Sequence, residues 1–248
     1  MVGQEHQSFS MVDFWIRSQL SATWIWLRPS AMNFASSTST TAGSATATSL
    51  TTLRHMRCGL RVGDAVAVLD ELAIERAHFI GLSWGGRLCF GIGEHAPQRA
   101  LSLCIGGQQP YRWPDTALTR VITEGLIEAR TQGMEGLIQA MEAFWEIRFP
   151  EALRARYLDN DPAALQTAWT KALAEGAVSE NLPAWRVRCL IFMGAGDTDF
   201  LEQARRAATQ LPNAEFISLA GLDHIGAHMG QGDPVIEAVL RTLRADGP

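Results

Sequence analysis

The five residues Gly81-Leu82-Ser83-Trp84-Gly85 constrain this chain more than any other stretch. They follow the apolar run His78–Leu82 (HFIGL), which suits a buried parallel strand, and they lead into Trp84–Glu94, which can form a helix. A strand that turns into a helix across one serine needs a turn so tight that side chains beside it would clash, so glycine flanks it. The serine is then held in a strained conformation with its hydroxyl exposed above the sheet. The backbone N–H of Trp84, at the helix start, is placed to donate to an oxyanion.

The surrounding pattern is α/β. Asp64–Leu72 (DAVAVLDEL) places Ala65, Val66, Val68, Leu69 and Leu72 along one helical face. Ala100–Ile105 (ALSLCI) reads as a second buried strand closed by Gly106-Gly107, so strand, helix and strand form one parallel crossover unit. Tyr111 to about Pro183 carries apolar residues at helical spacing, such as Leu118, Val121, Ile122, Leu126 and Ile127, and predicts a helical insertion over the sheet. Cys189–Met193 (CLIFM) returns to a buried strand and is followed by Gly194-Ala195-Gly196-Asp197. Leu201–Leu211 reads as an amphipathic helix, Glu215–Leu219 (EFISL) as a strand, Gly221–His228 as a loop and Val235–Leu243 as a closing helix.

A serine hydroxyl is a weak nucleophile without a base, and the base needs an orienting acid. In a strand-turn-helix architecture of this kind the chain order is serine, acid, histidine. Asp197 follows the CLIFM strand and His224 follows the EFISL strand, so both fall where that order requires. Asp199 competes with Asp197, which falls sooner after the strand and directly after Gly196. His228 competes with His224 across one short loop. His78 and His95 flank strand and helix ends and read as surface or capping residues. The Trp84 side chain reads as packing or pocket wall, and Asp70, Glu71 and Glu75 as a solvated face. Phe144, Trp145 and Phe149 suit either a pocket lining or a helix–helix core.

An apolar fraction of 47% over 248 residues is enough for one domain with a large core. The net charge of −5 argues against nucleic acid or an anionic membrane as partner. Cys58, Cys89, Cys104 and Cys189 form no CxxC pair and no Cys/His pair has zinc-ligand spacing, so buried free thiols in a reducing, cytoplasmic compartment are expected. Arg17, Arg28, Asp13 and Pro29 interrupt the apolar stretch from Val12 to Phe34 too often for a transmembrane helix, and no secretory signal pattern opens the chain.

From about Arg61 to Arg244 the chain resembles the α/β-hydrolase superfamily, in the style of its small cofactor-independent esterases, lactonases and carbon–carbon hydrolases. The stretches that carry the resemblance are DAVAVLDELAIERAHFIGLSWGG, CLIFMGAGDTDF and LAGLDHIGAH. It implies a mostly parallel sheet flanked by helices with a helical cap, and a Ser83 nucleophile, Asp197 acid and His224 base, with the Trp84 amide as one oxyanion donor. It implies hydrolysis of a small carboxylic ester or lactone through an acyl-enzyme, with no cofactor, no metal, no nucleic acid and no membrane partner. Carbon–carbon bond hydrolysis or perhydrolysis on the same triad, and a catalytically impaired or non-catalytic hydrolase-fold protein, are the alternatives.

The division is a core of residues 62–110 and 184–248, a cap of residues 111–183, and an anomalous segment, residues 1–61. The last lacks both the His-Gly turn that supplies a second oxyanion N–H in the family and its D-x-R-G-x-G-x-S segment. Ser36 to Thr52 is almost wholly Ser, Thr, Ala and Gly. A shifted reading frame accounts for this. With each codon built from the last base of one residue and the first two of the next, Thr40–Leu50 can encode DDRGFGDSDKP and Phe9–Val12 can encode VLHG. Lys171 as the sole lysine fits a GC-rich coding sequence. Family strands would then be missing, leaving the strand faces around HFIGL uncovered and the chain poorly folded or weakly active. One absent oxyanion donor costs ~100–1,000-fold in turnover.

Overall fold

The computed structural model describes residues 23–26, 58–179, 181–228 and 233–244. The Ser36–Thr52 run, His6, His55 and most of the anomalous segment lie outside the described residues. Among the described residues, five strands form one sheet in the order β1 (Thr23–Trp26), β2 (Ala77–Leu82), β3 (Ala100–Gly106), β4 (Arg188–Gly194) and β5 (Ala214–Leu219). β2 to β5 are parallel, and β1 pairs antiparallel with β2, Thr23 opposite Gly81 and Trp26 opposite His78.

β1 lies in the anomalous segment, residues 1–61, where family strands were expected to be missing. Thr-Trp-Ile-Trp has the β-branched and aromatic content of a strand but is too short to show a period, and the unpaired backbone edge of β2 supplies its partner. The HFIGL strand is therefore not left uncovered, and Ala77 to Gly81 are all buried.

The apolar runs are continuous because both faces of the sheet are covered. Phe79, Leu103, Ile105, Ile191 and Met193 face one layer, together with side chains of α1 (Cys58–Glu71), α2 (Trp84–His95) and α7 (Leu201–Gln210). Ile80, Cys104, Leu190, Phe192 and Leu219 face the other, with Ala238, Val239 and Leu243 of α9 (Asp233–Arg244). α1 begins six residues before the period is legible. It buries Ala65 and Leu69 as expected, whereas Leu72 lies past its end and is 45% exposed.

Between β3 and β4 the chain makes α3 (Ala117–Gln132), α4 (Met134–Phe144), α5 (Glu151–Leu158) and α6 (Pro162–Ala174). Their starts are written in the sequence. The Thr116 hydroxyl accepts from the Thr119 N–H, and Asp161 accepts from the N–H groups of Ala163 and Ala164, ahead of Pro162. These helices have a core of their own, including Leu126, Leu137, Ile138, Met141 and Phe149.

Buried Glu142 ties this layer together, accepting from Arg154 (2.7 Å), Arg148 (3.3 Å) and the Phe149 N–H (2.8 Å). Burial acts to raise its carboxyl pKa, but these bonds outweigh it and hold the group below the ordinary glutamate value. A depressed folded pKa gives stability that is present above the unfolded value and lost as pH falls through the folded one. The wild type should therefore lose Tm more steeply than Glu142→Gln on acidification from neutral pH to about pH 3, with Glu142→Gln the less stable at neutral pH. Parallel curves in a thermal-unfolding series would contradict this.

Candidate active site

Ser83 sits between β2 and α2 with φ +51° and ψ −113°, a conformation that a residue bearing a Cβ adopts only under strain. The Ser83 N–H donates to the carbonyl of Gly106 at 2.8 Å, which anchors the turn to the neighbouring strand. The need for glycine is geometric: a Cβ on Gly81 would lie 2.2 Å from the Gly85 carbonyl oxygen. Trp84 takes the first helical position, whose N–H has no acceptor within the helix.

The sheet brings two loops to this turn. After β4, Asp197 is held by its own backbone. Its N–H donates to Gly194 O (3.0 Å), and its carbonyl accepts from the Leu201 N–H at the start of α7 (3.0 Å). After β5, α8 (His224–His228) opens at His224, and Asp223 caps it by accepting from the Gly226 N–H at 2.7 Å. The two loops pass backbone to backbone: Gly196 N–H donates to Leu222 O (2.9 Å), and a Cβ on Gly194 would come 2.4 Å from Asp223 O. A short helix thus replaces the expected loop at Gly221–His228. Five residues are too few to show a helical period.

The result joins three side chains. His224 Nε2 lies 3.2 Å from Ser83 Oγ, and His224 Nδ1 lies 2.6 Å from Asp197 Oδ2. Asp197 and His224 are 4% and 6% exposed, so the charged partner is screened little by water. Asp199 is half-buried in the turn two residues beyond Asp197 and makes no bond to His224, and His228 stands at the far end of α8.

The helical layer closes over His224. Trp145 stacks on the His224 ring, with centroids 6.2 Å apart and planes 3° apart, and Phe200 packs beside it at 5.7 Å. Ile225, next to His224, belongs to the core of the helical layer. Trp84 meets Trp169 at 5.8 Å, and Trp169 meets Trp113 at 5.1 Å. Trp113, Trp169 and Phe200 carry no spacing that marks them, and only the abundance of tryptophan, eight in the chain, hints at such a wall.

His78 corrects its surface reading. It is 3% exposed, with Nδ1 2.8 Å from Ser102 Oγ, because both faces of β2 are covered. His95 is exposed at the end of α2. The four cysteines are buried and free. Burial raises the pKa of each thiol, Cys189 to about 12, so none is a poised nucleophile. A cleft of about 950 Å³ opens at the N-terminal ends of β3 to β5, lined by Arg76, Trp185, Arg188 and Asn213 among others, at the opposite end of the strands from Ser83. Among the described residues no helix is long and apolar enough to cross a membrane.

A parallel sheet with a strained serine at one strand end, and an acid and a histidine on the next two loops, is the plan of a hydrolase class. The chain belongs to the alpha/beta hydrolase family, whose sequence model matches residues 13–238. It is 26% identical over 164 residues to the protein named "Putative carbamate hydrolase RutD" of Caulobacter sp. (strain K31), covering 61% of this chain and 59% of that one. The match thus spans less than two thirds of the relative's length. Among solved structures it is similar to an esterase from Thermogutta terrifontis (TM-score 0.63, 20% identity, 76% of this chain and 72% of that one). It is similar also to an enol-lactonase from Burkholderia xenovorans LB400 (TM-score 0.63, 21% identity, 75% and 72%). A third is a meta-cleavage product hydrolase from Pseudomonas fluorescens IP01 (TM-score 0.63, 18% identity, 76% and 72%).

Proposed function

We propose that the chain is a serine hydrolase that cleaves a small carboxylic ester or lactone through an acyl-enzyme on Ser83. The observation that carries this reading is the continuous hydrogen-bonded path from Ser83 Oγ through His224 (3.2 Å) to Asp197 (2.6 Å).

In the first half-reaction Ser83 Oγ attacks the carbonyl carbon as His224 Nε2 takes its proton, and the carbonyl oxygen becomes an oxyanion facing the Trp84 N–H. Asp197 fixes the tautomer by accepting from Nδ1–H and stabilises the imidazolium. Collapse breaks the C–O bond, and His224 hands the proton to the leaving alkoxide. In the second half-reaction water attacks the acyl carbon, His224 takes one of its protons and returns it to Ser83, and the acid departs. Ester and water become acid and alcohol, with no redox change and no cofactor in any step. A carbamate, the substrate in the Caulobacter relative's name, presents the same kind of acyl carbon.

The test is hydrolysis of a short-chain p-nitrophenyl ester by the purified chain with Ser83→Ala beside it. The proposal requires turnover that the substitution removes. Turnover unchanged by Ser83→Ala would overturn it.

A further inference from the structure

Among the described residues, nine buried side-chain polar atoms have no hydrogen-bond partner, and seven of them are nitrogen donors that converge on the first turn of α2. They belong to Arg61 (Nε, Nη1, Nη2), Trp84, Arg87, Gln108 and Trp113. Printed contacts link them: the Arg61 guanidinium stands 5.3 Å over the Trp84 ring, and that of Arg87 stands 5.2 Å over the Trp113 ring. Trp169 bridges the two indoles. Gln108 lies against Gly86, whose Cβ would come 3.0 Å from its own.

Unpartnered donors in a protein interior are costly, and a buried guanidinium is the costliest of them. Arg61 is 4% exposed on the buried stripe of α1 with Cys58, Val62, Ala65 and Leu69. The Cys58 thiol adjoins it, but sulfur is a weak acceptor. Glu175, the carboxylate whose field reaches both arginines, forms no ion pair with either, and its Oε1 accepts from the Cys58 N–H at 3.0 Å. Arg87 spends its Nη groups on the carbonyls of Gln109, Tyr111 and Gly176, which leaves Nε over. The cluster thus offers two positive charges and N–H donors only. Its chemical complement is an anion rich in acceptor oxygens.

We infer that this cluster, led by Arg61, receives a carboxylate borne by the substrate, so that the chain favours esters or lactones that carry a second, free carboxyl group. This rests on the serine-hydrolase reading above. The Arg61 guanidinium stands over the Trp84 indole, and Trp84 follows Ser83 directly in the chain, so a single residue links the cluster to the nucleophile. Burial lowers the pKa of Arg87 to about 10 and pulls that of Arg61 down; a guanidinium is the cation that proteins keep charged.

The experiment compares p-nitrophenyl half-esters of succinate, glutarate and adipate with neutral p-nitrophenyl esters of matched chain length, in the wild type and Arg61→Met. The wild type should favour a half-ester in kcat/KM, and the half-ester to neutral ratio should fall about ten- to a hundred-fold in Arg61→Met, the scale of a charge-assisted pair. A wild-type ratio at or below one, or a preference that survives Arg61→Met, overturns the inference. Should neither ester turn over, the hydrolase reading fails, while a second readout still decides the site. Glutarate, and not glutaramide, should raise the Tm of the wild type and leave that of Arg61→Met unmoved; no rise in the wild type overturns it.

Discussion

Ser83→Ala should lower ester turnover by about 10³- to 10⁴-fold while leaving the fold intact. Removing the nucleophile of a triad costs roughly 10⁶-fold when the oxyanion site is complete. The sequence provides the Trp84 N–H but no His-Gly turn; on the expectation that the second donor is missing, ~100–1,000-fold is lost from the wild-type rate and the measurable drop is compressed. Alanine keeps the Cβ of serine, so the strain at φ +51° is unchanged. The variant loses one hydrogen bond, the 3.2 Å contact to His224, worth about 1 kcal/mol. Steady-state kinetics beside a thermal melt separate the two effects: activity collapses and Tm stays within a few degrees. A variant that melts early and loses activity in proportion would point to a structural serine instead.

Asp197→Asn should cost up to about 10⁴-fold in kcat, since an amide in its place favours the wrong imidazole tautomer without moving the ring. The contact is 2.6 Å long and almost dry, so water cannot substitute for the lost acceptor. Asp199→Asn, two residues away in the same turn, should stay within about two-fold of the wild type, since half-buried Asp199 makes no bond to His224 and substitutions away from such contacts usually cost little. Kinetics of the pair decide between the two carboxylates. An inactive Asp199→Asn beside an active Asp197→Asn would move the acid to Asp199.

Strands β2, β3 and β4 were legible because burial on both faces writes an uninterrupted apolar run, and HFIGL, ALSLCI and CLIFM each carry one. That Ser83, Asp197 and His224 meet was legible because each follows a strand end. β1 was not, because four residues hold no period and its partner edge comes from a strand more than fifty residues on. Nor was α8, where one turn of helix is set by the Asp223 cap and the loop after β4. His78 was misread because a histidine at the start of a strand looks like a surface residue until Ser102 of β3 is placed beside it. The wall of Trp113, Trp169 and Phe200 draws from three distant segments, and only the packing of helices on sheet unites them.

The proposed function stands on a covalent acyl intermediate at Ser83. The direct measurement is to treat the folded chain with a fluorophosphonate, digest it and locate the adduct by peptide mass mapping. The expected result is one phosphonyl group on the peptide containing Ser83, and none after His224→Ala. An adduct on another residue, or none on protein shown to be folded, would contradict it.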